Sequence, residues 1–506
     1  MEPRERVYRA VSGGVPDRVP SVPKIWVDLG AALTGTPLTD VVADPRTALE
    51  VIVDGGLLCG VDAVRQFHFP PRRIKSEDGR VFEVDGRSQP VGEVDMQGGL
   101  ITRLFDAGYF DLEDPFFMSY HHYWSAEEPF VHGLADARRI AVPEKSYLSD
   151  LGWRERQEAL LEEHAGRVAF LGDCSSATMA FLVCMRGMNE ALMDLIENPQ
   201  LVHAVMEKGA AIAVEKGKLN IDMGIKILRL NDSVGNMSVI SPAHWREFVF
   251  PHMKDVCSAL HAYDPEAKIY CHICGNVLPI VEDLIETGLD CIGPLDPLGG
   301  MKPGQVRERV GDAVSLMGGV DTLSFVRHGP EEIREEARAC IEGAGRSGGY
   351  VLGSGCVVPR AAPLENIAAL VNALSEKGLL LPRSVNDVYE RLRDFSVAKH
   401  GNRLIGCAAL HVVWGGLGEI RSLAVPEDAR NAGVGRALVH FCLQEAAQLG
   451  IRQVFVLTYQ TDFFARFGFR RHPKEALPQK VWKDCVHCPK FPNCDETAML
   501  LELADQ

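Results

Sequence analysis

The chain has 506 residues, 46% hydrophobic and 24% charged, with a formal net charge of -16 at pH 7. That length predicts two or three domains, and the acidic balance argues against a nucleic-acid surface or an anchor on an anionic membrane. The charged opening Met1–Arg6 lacks a signal peptide's apolar core, no apolar run is long enough to span a bilayer, and the scattered cysteines read as reduced thiols and metal ligands of a cytoplasmic protein.

From about Val19 to Cys356 short apolar runs alternate with longer amphipathic ones. The pattern predicts strands at Val22–Val27, Val61–Phe67, Val168–Gly172, Ile225–Leu230, Lys268–Cys274, Cys291–Leu295, Val314–Gly319 and Tyr350–Cys356. Helices are expected between them, for example Pro242–Ala262 behind a Ser241 cap, Leu278–Thr287 and Glu331–Gly343. About eight strand–helix repeats of class α/β predict a closed (β/α)8 TIM barrel, with an open doubly wound sheet as the alternative. Arg72–Gly99 interrupts the repeat, and its Asp78-Gly79 and Asp85-Gly86 pairs predict inserted β-hairpins.

The stretch Tyr270-Cys271-His272-Ile273-Cys274-Gly275-Asn276 carries the chemistry. Alternate strand residues share a face, so His272 and Cys274 point one way and Cys271 the other. An imidazole and a thiolate on one face form half a zinc site, and Cys356, ending a second strand, supplies a third ligand. Taken alone, an H-x-C is more often a core histidine beside a buried thiol. Asp173, Asp232, His272, Cys274, Asp296, Asp321 and Cys356 all fall at or just after the C-terminal ends of predicted strands, the active face of a barrel. Each aspartate singly is more often a loop or helix cap; together they describe an acidic, metal-capable cup, with Asp232 as the catalytic candidate.

Cys271–Asn276, the Asn231-Asp232-Ser233 turn with Ile240-Ser241-Pro242, Gly353-Ser354-Gly355-Cys356 with Pro363-Leu364-Glu365-Asn366-Ile367, and the opening Arg4–Val7 with Pro16–Pro20 resemble the uroporphyrinogen decarboxylase superfamily over residues 1–375. The superfamily includes decarboxylases and zinc-dependent methyltransferases that pass a methyl group from a corrinoid protein to a thiol such as coenzyme M. The resemblance implies Zn2+ at His272, Cys274 and Cys356, a methylcorrinoid as methyl donor and a small thiol as acceptor. The decarboxylases' arginine-rich N-terminal motif is replaced by Arg9-Ala10-Val11-Ser12-Gly13, which counts against tetrapyrrole decarboxylation. A non-catalytic barrel that binds a corrinoid or thiol is a further alternative.

After Lys377-Gly378 the texture changes. Leu404–Val413, Glu419–Val425 and Gln453–Tyr459 read as strands, and Arg430-Asn431-Ala432-Gly433-Val434-Gly435-Arg436 opens a helix at Leu438–Leu449. Glycines at a strand-to-helix turn let backbone N–H groups and the helix N-terminus face a pyrophosphate. With Phe463–Phe469 following, the segment resembles the GNAT N-acetyltransferases, an α+β fold with a mixed central sheet, and within them the short N-acetylglutamate synthase-like members. The resemblance implies acetyl-CoA at Arg430, Gly433, Val434, Gly435 and Arg436, carbonyl polarisation by Leu423, Ala424 and Val425, and an amino-acid acceptor such as glutamate. Glu419 becomes the candidate base, with a strand-end salt bridge as its plainer role, and Tyr459 the candidate acid because Phe464 stands where a tyrosine is usual. Cys485, Cys488 and Cys494 have metal-ligand spacing, beside the reading of a packed reduced tail. The domains are expected at 1–375 and 376–506 with helix 363–377 shared, since no Gly-, Ser- or Pro-rich linker parts them.

Overall fold

The computed structural model describes residues 1–373, 394–400, 403–414, 416–425, 432–477 and 496–503. The chain divides into two compact units, Met1–Ser375 and Glu376–Gln506.

In the first unit seven parallel strands lie side by side in chain order: β1 (Ala63–Arg65), β2 (Ala169–Ser176), β3 (Ile227–Asn231), β4 (Lys268–His272), β5 (Cys291–Leu295), β6 (Ser315–Val320) and β7 (Tyr350–Ser354). Residues 20–24 close the ring. Val22 N donates to Leu352 O at 2.7 Å, Leu352 N to Pro20 O at 2.9 Å, and Asp62 N to Ser21 O at 2.9 Å. The predicted strand Val22–Val27 is thus reduced to two isolated bridges, Ser21 to Leu352 and Lys24 to Val357, and Val27 opens the helix Val27–Thr34. Pro20 and Pro23 have no N–H to give a regular ladder, so the segment closes the barrel without becoming a full strand.

Side chains alternate between lumen and outer layer. Ala63, Ala169, Ile227, Cys291 and Val351, from the N-terminal ends of their strands, pack with Val7, Ala10 and Val11 of the helix Pro3–Val11, which plugs that end of the barrel. Ser315 Oγ bonds the carbonyls of Ala10 and Val11 at 3.0 and 2.8 Å. Arg9–Gly13 therefore sits at the end remote from the C-terminal mouth, so its mismatch with an arginine-rich motif says nothing about chemistry there.

The inserted region is larger than predicted, a five-stranded sheet of Ile74–Glu77, Arg80–Val84, Pro90–Val94, Thr102–Leu104 and Trp124–Ser125. Asp78 (φ 50°) and Gly79 (φ 77°) both adopt the left-handed conformation that a tight hairpin turn requires. The predicted helix Pro242–Ala262 forms, but widens at Trp245–Val249 because Pro251 cannot donate to the preceding turn. Helix α1 (Leu364–Asn372) packs on Pro330–Ala344 with Ile367 and Leu370 fully buried. The rest of the helix expected over 363–377, beyond Ala373, lies outside the described residues.

The second unit is a mixed sheet of β8 (Phe395–His400), β9 (Arg403–Trp414), β10 (Leu417–Ala424), β11 (Gln453–Thr458), β12 (Arg470–Arg471) and β13 (Thr497–Glu502), in spatial order β8-β9-β10-β11-β13-β12. Among the described residues of this sheet only β10 and β11 pair in parallel. Helix α2 (Val434–Gln448) sets Val434, Leu438, Val439, Cys442 and Ala446 against Ala408, Leu410, Ile420, Val454 and Val456. Among the described residues no helix is long and apolar enough to cross a membrane.

Candidate functional site

Strand β4 ends at His272, and Gly275, at φ +81°, takes a left-handed turn that ordinary residues rarely adopt. Tyr270 joins the lumen cluster while Cys271 packs in the outer layer, so His272 and Cys274 face the mouth. Cys356 arrives two residues beyond β7. The three ligand atoms meet: His272 Nε2 is 3.1 Å from Cys274 Sγ, Cys274 Sγ is 3.0 Å from Cys356 Sγ, and the Cys356–His272 edge is 4.0 Å. Among the described residues this is the one His, Cys and carboxylate group close enough to hold a metal ion.

The donor set fits zinc. Bonds of about 2.3 Å to sulfur and 2.0 Å to nitrogen make tetrahedral edges of roughly 3.5–3.8 Å, so shifts of well under 1 Å would admit the ion. Burial holds the His272 imidazole far below its usual pKa, hence neutral and able to ligate. The hydrogen bond from Cys274 lowers the Cys356 thiol and correspondingly raises that of Cys274, so one thiolate is favoured even without metal.

The lumen around this centre is rich in cations that sequence reading missed. Lys24 Nζ lies 3.3 Å from His272 Nε2, and its pKa falls to about 7, first through burial and then through Arg229. Arg65 donates to Tyr270 Oη at 2.8 Å. Arg229 donates to Asp173 at 2.5 Å and to Asn231 Oδ1 at 2.6 Å. A charge inside an apolar run, as in Ile227-Leu228-Arg229-Leu230, was the available signal.

The acidic cup is assembled only in part: Asp296 lies close enough to Cys274 and Cys356 for its charge to raise both thiols, with Asp321 near it, but the other carboxylates are engaged elsewhere. Asp173 is neutralised by Arg229, Asp296 Oδ1 accepts Leu298 N at 3.0 Å, and Asp321 Oδ1 accepts Leu323 N at 2.8 Å, so the latter two cap turns. Asp232, the catalytic candidate, is 1% exposed and accepts Ala180 N at 2.7 Å in the first turn of the helix Met179–Arg186. It lies on the outer side of the wall with Cys271, because the residue after Asn231 must turn away from the lumen. It is a structural cap.

Burial raises Asp232 to about 6. An acid whose folded pKa exceeds its unfolded value contributes stability that is full below the unfolded value and lost as pH rises through the folded one. Asp232→Asn keeps an acceptor for Ala180 and removes this titration. It is expected to flatten the decline of melting temperature between about pH 4 and 7 while sparing barrel activity; lost turnover in a variant of unchanged stability would return Asp232 to a catalytic role.

In the second unit β10 and β11 pair only from Leu417–Gln453 to Glu419–Phe455, although both strands continue. They splay apart from there. Ser422 (φ 54°) bulges β10 opposite Cys407–Ala409, next to Leu423, Ala424 and Val425. Gly433 (φ 82°) is the N-cap of α2, so Val434, Gly435 and Arg436 form its first turn. Glu419 is 3% exposed, with Oε2 3.8 Å from Arg421 Nη1, which places it within an ion pair and not at a free strand end. Its cross-strand neighbour His411 has Nδ1 2.8 Å from Asp394 Oδ2. Tyr459 directly follows β11 and is half-buried, and Phe464 is buried. Arg430, Cys485, Cys488 and Cys494 lie outside the described residues.

Residues 125–377, half of the chain, match the family model for uroporphyrinogen decarboxylase (URO-D), and residues 375–469 match the acetyltransferase (GNAT) family. An uncharacterized N-acetyltransferase of Chlorobaculum tepidum is 42% identical over 144 residues, 28% of this chain and 93% of that protein. An amino-acid acetyltransferase of Mycobacterium tuberculosis is 42% identical over 113 residues, 22% of this chain and 64% of the relative. A methylated-thiol–coenzyme M methyltransferase of Methanosarcina mazei is 28% identical over 201 residues, 40% of this chain and 50% of the relative, so the match spans half of that protein's length. A solved methyltransferase structure from Methanosarcina mazei shares the fold, with a TM-score of 0.53 and 17% identity over 74% of this chain and 98% of that one. With the parallel barrel and the splayed mixed sheet, these matches establish that the chain belongs to the uroporphyrinogen decarboxylase family and is a transferase carrying a GNAT acetyltransferase domain after its barrel.

Proposed function

We propose that the protein is a bifunctional transferase, with a barrel that transfers a corrinoid-bound methyl group to a thiol and a C-terminal domain that acetylates an amino acid from acetyl-CoA. The observation that carries the barrel reading is the convergence of His272, Cys274 and Cys356 at the C-terminal mouth. Zinc held there would keep one position for the substrate thiol and make it a thiolate near neutral pH. The chain's own residues do the rest: His272 presents a neutral nitrogen, the outer-layer packing of Cys271 fixes the face of β4, and the Arg229–Asp173 pair holds the lumen wall beneath. Resemblance to a methylated-thiol methyltransferase supports this reading, but a uroporphyrinogen decarboxylase is matched nearly as well, so it is the His272, Cys274 and Cys356 ligand set that favours methyl transfer over tetrapyrrole decarboxylation. The test is methyl transfer from methylcobalamin to small thiols by the purified chain, followed by loss of the methylcorrinoid absorbance. Turnover should require zinc; decarboxylation of a porphyrinogen without methyl transfer would sink the proposal.

For the second domain, the splay between β10 and β11 leaves room for a pantetheine arm between strands, and the first turn of α2 offers backbone N–H groups to a pyrophosphate. Relatives that are amino-acid acetyltransferases support an amino-acid acceptor such as glutamate. A Cβ at Gly433 meets nothing within 4 Å, so the strain of Gly433→Val comes from its φ of +82°. That variant is expected to distort the helix cap and raise the Michaelis constant for acetyl-CoA about tenfold or more. Unchanged acetylation kinetics would remove the phosphate-loop reading.

A further inference from the structure

Lys24 enters the lumen from the segment that closes the barrel. It is 7% exposed, and its ammonium rests on a ring nitrogen, not on a carboxylate. Among the described residues neither Lys24 nor Arg65, which is 2% exposed, pairs with a carboxylate, because the acid of that layer, Asp173, is taken by Arg229; the anions that face Lys24 are the Cys356 and Cys274 sulfurs. With the charge of those sulfurs taken by a metal, Lys24 would be a buried cation without a counter-ion, which is costly, so a lumen built this way favours an incoming anion.

The inference rests on the zinc site proposed for the barrel. One zinc ion and two thiolates sum to zero charge, and a thiolate in the open position leaves the centre with one negative charge. The nitrogen that Lys24 contacts is also the His272 nitrogen that faces the two sulfurs. Ion and ammonium therefore compete for the same lone pair. We infer that Lys24 is the charge partner of the sulfur that fills the open position: with zinc on the three ligands its amine would be freed from His272 Nε2 and, as an ammonium, would hold the incoming thiolate. In that step the thiol S–H bond would break, its proton would leave to solvent, and the sulfur electron pair would be shared with the zinc held by the three ligands; nothing is oxidised or reduced. The geometry gives Lys24 the task of binding the thiol as thiolate and leaves retention of the metal to the three ligands.

The test uses the full chain loaded with zinc and the neutral thiol 2-mercaptoethanol. Zinc is counted by atomic emission, and thiol affinity and proton release are measured by titration calorimetry in buffers of different ionisation enthalpy. Lys24→Met should retain its zinc, bind the thiol at least about tenfold more weakly and release fewer protons, while Lys24→Arg restores most of both. Retained zinc with unchanged affinity and proton release in Lys24→Met overturns the role of Lys24 alone. Loss of zinc from Lys24→Met that Lys24→Arg does not restore also overturns it, since Lys24 would then serve metal retention. A wild-type chain that binds no zinc overturns the metal reading on which the inference rests.

Discussion

On the proposed zinc reading, Cys356→Ser is expected to leave the barrel without metal and without methyl transfer, lowering metal affinity by about a hundredfold or more. A hydroxyl stays protonated where a thiol ionises, and metal binding is coupled to ligand deprotonation, so a three-ligand site loses both a bond and a charge. His272→Ala should act alike, since burial already fixes that imidazole in the neutral, ligating form. The informative control is Cys271→Ser, one residue away on β4 but packed in the outer layer. It should keep its metal. Metal analysis of the purified variants decides the matter, and a Cys271→Ser protein without zinc beside a Cys274→Ser protein with it would invert the strand-face assignment.

Asp173→Ala is expected to destabilise the barrel by about 3–5 kcal/mol, since it strands the Arg229 guanidinium in the lumen. The pair is buried on both sides, with relative side-chain exposures of 5% and 6% and a 2.5 Å contact. Arg229→Met combined with Asp173→Ala should recover much of the loss, because removing both charges leaves neither unpaired. Urea unfolding followed by a signal from the barrel, which must be read separately from the acetyltransferase domain, measures the effect. Equal losses in the single and double variants would mean that packing, and not charge, governs the site.

Much of the architecture was legible in the chain because its signals are local. Repeated apolar runs separated by amphipathic ones foreshadow a parallel barrel, and Asp78-Gly79 marks a hairpin that the left-handed φ values then realise. The zinc candidates were legible for the same reason: the two-residue period of a strand sets His272 and Cys274 on one face and Cys271 on the other. Asp232 was misread because a carboxylate just after a strand looks the same in sequence whether it enters the lumen or caps a neighbouring helix. Its bond to Ala180 settles the choice, and that partner is 52 residues away.

By itself, then, the sequence determined the strand–helix repeat, the alternation that pairs His272 with Cys274, and the glycine-led turn into α2, all set by backbone sterics and side-chain period over a few residues. Tertiary structure alone decided how the barrel closes, where a proline-interrupted segment takes the place of a strand by bonding Leu352 on one side and Asp62 on the other. It also decided which charges the lumen encloses. Lys24 meets His272 across 248 residues, and Arg229 meets Asp173 across 56. Such meetings depend on where whole strands are placed around the ring, and no local period encodes them.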